Sequence, residues 1–243
     1  LWGKVNFLTG GNVQFSGDRS HDYLYHPDTL LLASQLDMLT AITDPSNSYD
    51  SHQRNWHYKV YLALSQQAFY SIGDSPLKIM YDRWRIGVDV PVSHQSLDYK
   101  RGVIDTLAHD TKVFFTPNAA FRHMSKDGKQ DLRIGVGYNC SPADLLNQIG
   151  YHDDSQPLVV KEGNPGLKGT ATTSGNADYT QKYGKHVSQW HVGAAFNYRH
   201  RDVAQSASYN PVTGVYTYKP MNVSGAYSAT ARFDISANIG EKG

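Results

Sequence analysis

The sequence predicts an all-β fold, an antiparallel up-and-down meander of about eight long strands. Three observations predict it. Segment after segment alternates apolar and polar residues with period two, as a strand with two unlike faces does. Tyr, Val, Thr, Gly, Asn and Ser dominate those segments, the residues of strands and turns rather than of helices. Tight turns and long connections alternate along the chain, so a meander would gather all the tight turns at one end.

The first strand is Asn6–Gly17, with Val5, Phe7, Val13 and Phe15 opposite Asn6, Asn12, Gln14 and Ser16. Gly10 and Gly11 inside it suggest a bend or bulge. A long connection follows over residues 18–55, in which Leu30–Ile42 reads as a short helix or an ordered loop. Trp56–Tyr70 returns to strict alternation and ends in a tight turn at Gly73–Pro76. Leu77–His94 changes phase partway, which a β-bulge near Asp82 or Arg83 explains, and Pro91 is awkward for a central strand. A second loop is expected over 96–110, then a strand Lys112–Met124. The Asp-Gly hairpin signal in Lys126–Lys129 leads to a return strand Asp131–Cys140. After an ornate stretch over 141–166 come a strand Leu167–Tyr183, a turn at 183–187 and a strand Gln189–Arg201. A short turn at Tyr209–Gly214 precedes the last strand, Val215–Asn238.

Composition narrows the function. No apolar run reaches the ~18 residues of a membrane helix, and mean hydropathy is −0.52. A membrane barrel stays open, because its alternating strands average to polar. A net charge of +1 and the lack of any nucleic-acid-binding motif speak against nucleic acid as a partner. Cys140 is the single cysteine, so no internal disulfide forms. The chain opens on LWGKVNF in mid-pattern, without Met or an export signal, and reads as a fragment or processed piece of one barrel segment spanning 1–243.

Alternation fits a soluble sandwich or lipocalin-like barrel as well as a membrane barrel. Three features favour the membrane. The strands are long enough to cross a bilayer, for which ~9–11 tilted residues suffice. Trp56, Trp84, Trp190, Tyr138, Tyr198 and Phe233 sit toward the ends of apolar faces, as interfacial residues do. The opposite faces carry Arg85, Arg133, Arg199, Arg232, Asp89 and Asp234, which suit a wet lumen. On that reading Trp56, Tyr58, Val60, Leu62, Trp190, Val192, Phe196, Tyr198, Tyr227 and Phe233 face lipid. His57, Lys59, Arg133, His191, Asn197, Arg199 and Arg232 face the lumen.

Three phrases carry a family resemblance: Gly163-Asn164-Pro165 with Leu167 and Lys168; Tyr209, Pro211, Thr213 and Gly214; and Pro220, Asn222, Val223 and Gly225. With the lead-in Asp153–Leu158, they make the stretch from about Leu132 to Ile239 resemble the outer-membrane β-barrel domain of TonB-dependent receptors. Gly169 stands where that family often has Pro, and no plug domain or TonB box is present. The resemblance implies the C-terminal part of a transmembrane barrel in the outer membrane of a Gram-negative bacterium, serving uptake of a large nutrient. It implies lipid, lipopolysaccharide, a surface lipoprotein and, through a plug, the TonB complex as partners. A small autonomous outer-membrane barrel with a structural or adhesive role is the alternative, and a soluble β-sheet binding protein a third. Gly163-Asn164-Pro165 reads as the device that ends an outer loop and pins the next strand, since Pro165 fixes φ and biases Asn164 toward extended backbone.

No chemistry is legible. His21, His109 and His152 each precede Asp, but none shows a zinc spacing, and Asp153–Asp154 is a weak calcium candidate. Nucleophile elbows, phosphate loops and dinucleotide fingerprints are missing, so no catalytic or cofactor role is assigned. Tyr23, Tyr25, Tyr49, Tyr99 and Tyr151 lie in or beside the long connections, where aromatic side chains either recognise ligands or pack the loop.

Overall fold

The structure is a computed structural model that describes residues 3–23, 48–71, 78–102, 104–156, 158–183 and 188–237. Its elements are β1 (Asn6–Asp22), β2 (Tyr49–Ser71), β3 (Lys78–Arg101), β4 (Ile104–Val113), β5 (Thr116–Met124) and β6 (Gln130–Ser141), then a one-turn helix α1 (Leu145–Gln148). There follow β7 (His152–Gln156), β8 (Val159–Glu162), β9 (Thr170–Tyr183), β10 (Ser188–Asn210), β11 (Val215–Val223) and β12 (Ala226–Ser236). They form one twelve-stranded, mostly antiparallel sheet that does not close. Among the described residues β1 pairs with β2 alone and β12 with β10 alone.

The expected meander of eight long strands is present within these twelve. β4 and β5 continue one register along β3, with Val92↔Val113 and Asp89↔Thr116. β11 and β12 do the same along β10, with Asp202↔Val223 and Arg199↔Ala226. Proline explains the first break. The Phe114 N–H donates to the Pro91 carbonyl at 2.9 Å. The return bond of that pair needs an N–H that proline lacks, so the ladder opens at Phe114–Phe115. The second break falls at Ser224–Gly225, where Gly225 takes a φ of 82°. Both segments read as unbroken strands in the sequence, which the structure corrects.

The phase change in β3 is a bulge close to its expected place. Ala68 faces Asp82 and Phe69 faces Met80, which leaves Tyr81 over. The bend expected at Gly10–Gly11 is absent, and β1 holds one register along β2. Gly10 instead makes room for Tyr61, whose hydroxyl would stand 2.5 Å from a Cβ there.

The expected loops need larger correction. Residues 18–22 and 49–55 belong to β1 and β2, while residues 24–47, with Leu30–Ile42, lie outside the described residues. Residues 96–110 are not a loop: Ser96 pairs with His109 and Arg101 with Ile104, so β3 and β4 run on to a turn at Gly102, with φ 57°. The reason is an inversion of pattern. Along Trp84–Val92 the apolar side chains are at even positions, but farther on Leu97 and Tyr99, at odd positions, are the buried ones. The ornate stretch 141–166 contains α1, β7 and β8, and β8 runs parallel to β11. The Ser125–Lys129 turn is tight, with Gly128 at φ 66°. The turns at 73–76 and 184–187 lie outside the described residues.

Candidate functional site

Paired residues in register share a face of a sheet. One row reads Phe7–Leu64–Ile86–Ala119–Val136–Gly175–Phe196–Ala229, and the next but one Gln66–Trp84–Phe121–Ile134–Ala177–Ala194–Ala231. Trp56, Tyr58, Val60, Leu62, Trp190, Val192, Phe196, Tyr198, Tyr227 and Phe233 all lie on this face. Most of its large apolar side chains are exposed, including Phe7, Leu64, Ile86, Val136, Phe196 and Phe233. A soluble antiparallel sheet buries its apolar face against a core; here that face is bare.

The band is about one bilayer-crossing tall on both strands that carry its Trp edges. It runs from Trp56 to Gln66 on β2, where the Trp84 indole donates to the Gln66 side-chain Oε1 at 3.1 Å, and from Trp190 to Tyr198 on β10. Its edges drift together. The row Ala63–Gly87–Asn118–Gly137–Ser174–Asn197 crosses six strands. Trp56, the upper edge on β2, is seven residues from that row, whereas Tyr198 is one. At the lower edge Trp84 lies on the row of Ala194, while Trp190 has moved four residues farther toward the tight-turn end. A level band on tilted strands behaves this way, because ladder rows run oblique to a barrel axis.

The other face is polar and carries His57, Lys59, Arg133, His191, Asn197, Arg199 and Arg232. One of its rows reads Arg83–Arg122–Arg133–Asp178–Gly193–Arg232. Asp131 holds two of these arginines, accepting from Arg122 at 3.0 and 2.9 Å and from Arg133 at 2.8 Å. His191 sits between Asp178 at 3.3 Å and Asp234 at 3.2 Å, and Arg232 pairs with Asp234 at 2.9 Å. The Arg85 guanidinium lies 5.9 Å from the Tyr61 ring centroid, and its Nε is buried without a partner. Lys59, Tyr61, Arg83, Arg85, Asp89 and Asn118 line a groove of about 580 Å³. Such a wall holds water or the polar surface of an occupant by charge-assisted hydrogen bonds.

Beyond Ser141 the chain folds over this polar face at the long-connection end. Leu145 packs with Leu97 and Tyr99 in a cluster that also takes in Tyr49, Ile104, Ala108, Ile149 and Tyr151. Asp144 caps α1 by accepting the Leu146 N–H at 2.9 Å. Arg101, 3% exposed, pairs with Asp153 at 2.9 Å and reaches Asp154 at 3.9 Å. Burial pushes the Tyr99 and Tyr151 hydroxyls above the usual tyrosine value. Nothing in the sequence marked Arg101, because its partners lie some fifty residues away.

The motif phrases meet each other here. The Gly163 N–H donates to Tyr151 and the Asn164 N–H to Asn147, at 3.0 and 2.8 Å, and a Cβ on Gly163 would run into the Ile149 carbonyl. Leu167 N–H closes a turn on the Asn164 carbonyl at 2.9 Å, with Pro165 and Gly166 at its centre. The Asn164 side chain donates to the carbonyl of Pro220, a fully buried residue, at 2.8 Å. Asn222 clamps Lys168 both ways, accepting its N–H at 2.8 Å and donating to its carbonyl at 2.7 Å. Gly169 also has no room for a Cβ, which would meet the Ser141 carbonyl, and its own carbonyl accepts from Arg201. In the second phrase Pro211 and Gly214 form the β10–β11 turn, with the Gly214 N–H on the Asn210 carbonyl at 2.8 Å.

The remaining candidates are dispersed. His21 pairs with Asp50 at 3.1 Å, His109 stacks on His94 at 6.5 Å and His152 lies 3.6 Å from Glu162. Among the described residues no three His, Cys, Asp or Glu side chains converge on a metal site. Of the five tyrosines in or beside the long connections, Tyr49, Tyr99 and Tyr151 pack in the cluster above Arg101, Tyr23 is exposed beside His21, and Tyr25 lies outside the described residues. Comparison of the chain with protein-family models, curated proteins and solved structures finds no match.

Proposed function

We propose that the chain is an arc of an outer-membrane transport barrel of the TonB-dependent-receptor kind, with the apolar band in lipid and the polar face toward the lumen. The observation that carries this is the band itself: exposed, one bilayer-crossing tall, edged with Trp and Tyr, and drifting as tilted strands require. That β1 and β12 do not pair with each other among the described residues favours an arc of a larger barrel over a small closed one. The transport role draws on the motif phrases, which here join a strand entry to its neighbour, and on the segment folded over the luminal face. By that reading the long-connection end is extracellular.

The test is reconstitution of the full chain into phosphatidylcholine vesicles. It should float with the vesicles, and lipids brominated on their acyl chains should quench the fluorescence of Trp56, Trp84 and Trp190. A chain that stays in solution without detergent, unquenched, would overturn the membrane reading. Cysteines placed at Thr9 and Ala229 in a Cys140→Ser background should remain uncrosslinked within one chain. Efficient intramolecular crosslinking would instead mean that eight strands close alone.

A further inference from the structure

The β10–β11 hairpin carries three tyrosines in one strip. Tyr209 and Tyr216 are cross-strand partners with ring centroids 4.7 Å apart. Tyr216 and Tyr218 are two apart on one strand, hence on one face, and stack at 6.4 Å with their planes 24° apart. Tyr209 and Tyr216 are 53% and 44% exposed. The strip continues sideways, because Tyr216 pairs with Val159 and Tyr218 with Lys161, and Val159 in turn with Gln156. Lys161 and Gln156 are exposed.

Neither membrane nor core accounts for these rings. Tyr209 stands eleven residues along β10 from Tyr198, at the band's edge, which is ~35 Å at ~3.3 Å per residue. A buried aromatic ring would be covered; Tyr209 and Tyr216 are open to solvent and Tyr218 is half-buried beside them.

We propose that this strip binds a neutral carbohydrate chain laid along the hairpin. The inference deepens the transport reading and rests on it for the outward direction of the hairpin. The C–H face of a sugar ring is apolar and packs on an aromatic face, while its hydroxyl rim needs donors and acceptors. The tyrosine hydroxyls, the Gln156 amide and the Lys161 ammonium supply them. Sites for small molecules are concave; a row of rings laid along a hairpin suits an extended ligand instead. Lys161 is its one cation among the described residues, and Asp153 across from it is engaged by Arg101, so a polyanion would find little to hold. A protein partner would bury an aromatic anchor in a pocket; a row of rings 38° and 24° apart in plane offers faces instead.

The experiment is affinity electrophoresis of the detergent-solubilised full chain through gels containing β-glucan, galactomannan, arabinoxylan, amylopectin or, as the acidic control, polygalacturonate. At least one neutral polysaccharide should retard the chain. Tyr216→Ala and Tyr218→Ala should weaken that retardation about tenfold, and Tyr209→Ala should weaken it as well. Tyr216→Phe and Tyr218→Phe should retain most of it, and all five variants should keep the parent's thermal melt. Retardation by none of the neutral gels, by polygalacturonate alone, or undiminished in the alanine variants would overturn the proposal. So would alanine variants that shed a co-purifying protein yet migrate through every neutral gel as the parent does. Vesicle flotation of the same preparation separates the two readings. A chain that floats but is not retarded sinks the carbohydrate site alone, and one that is retarded but does not float sinks the barrel.

Discussion

Asn222 does the work of a short strand pair with one side chain. Its amide bonds both the N–H and the carbonyl of Lys168, and the Asn164 amide reaches the Pro220 carbonyl nearby. Removing either amide loses hydrogen bonds worth ~0.5–1.5 kcal/mol each. Asn222→Ala should therefore speed hydrogen exchange at the Lys168 amide and lower the melting temperature, while Lys168→Ala, which keeps that backbone, should do neither. Equal behaviour of the two variants would show that the clamp carries no load. The sequence singled out both asparagines through their motif phrases. It could not pair them, because 54 residues separate Lys168 from Asn222.

At the scale of the element, α1, β7 and β8 are held over the polar face by the Leu145 cluster and by Arg101–Asp153. Truncating one partner of a buried pair typically costs ~3–5 kcal/mol, since the other charge stays buried. Arg101→Ala should open residues 142–162 to protease before the long strands melt; simultaneous loss of both would contradict a separately held segment. The pH response has a definite sign. Burial raises the folded-state values of Tyr99 and Tyr151 above the ordinary one of about 10. Their contribution to stability is thus complete below about 10 and is lost as pH rises through the raised values. Tyrosinate absorbance should include a late-titrating part that Tyr99→Phe and Tyr151→Phe each diminish, and its appearance should coincide with protease sensitivity of the segment.

For the whole molecule the decisive contrast lies between neighbours on opposite faces. Ala194 sits mid-band beside Ala177 and Ala231, and Ala195 on the polar face beside Asn176 and Thr230. Arginine facing lipid near the midplane of a barrel costs ~2–4 kcal/mol, and one facing the lumen far less. Ala194→Arg should impair insertion into vesicles while Ala195→Arg leaves it nearly intact. Equal tolerance at both positions would argue against lipid on the band. Free edges on long strands are an aggregation hazard in water, so the chain should associate unless other strands cover β1 and β12.

By itself the sequence determined most of the long strands, their two faces and the Asp-Gly turn at Lys126–Lys129, because period two and turn chemistry are local. Local readings also placed the bulge near Asp82 and identified Pro91 as a misfit. Wherever the covering of a face changes along one strand, the local pattern misled. Leu97 and Tyr99 lie on the face that Lys59 and Asp89 share lower down, so the extended β3–β4 hairpin looked like a loop. Only the tertiary structure decided that the segment beyond Ser141 folds over that face, that Asn164 reaches Pro220 and Asn222 reaches Lys168 across the motif phrases, and that β1 and β12 each keep a free edge among the described residues. Each depends on contacts between residues tens of positions apart, whose geometry no nearest-neighbour pattern records.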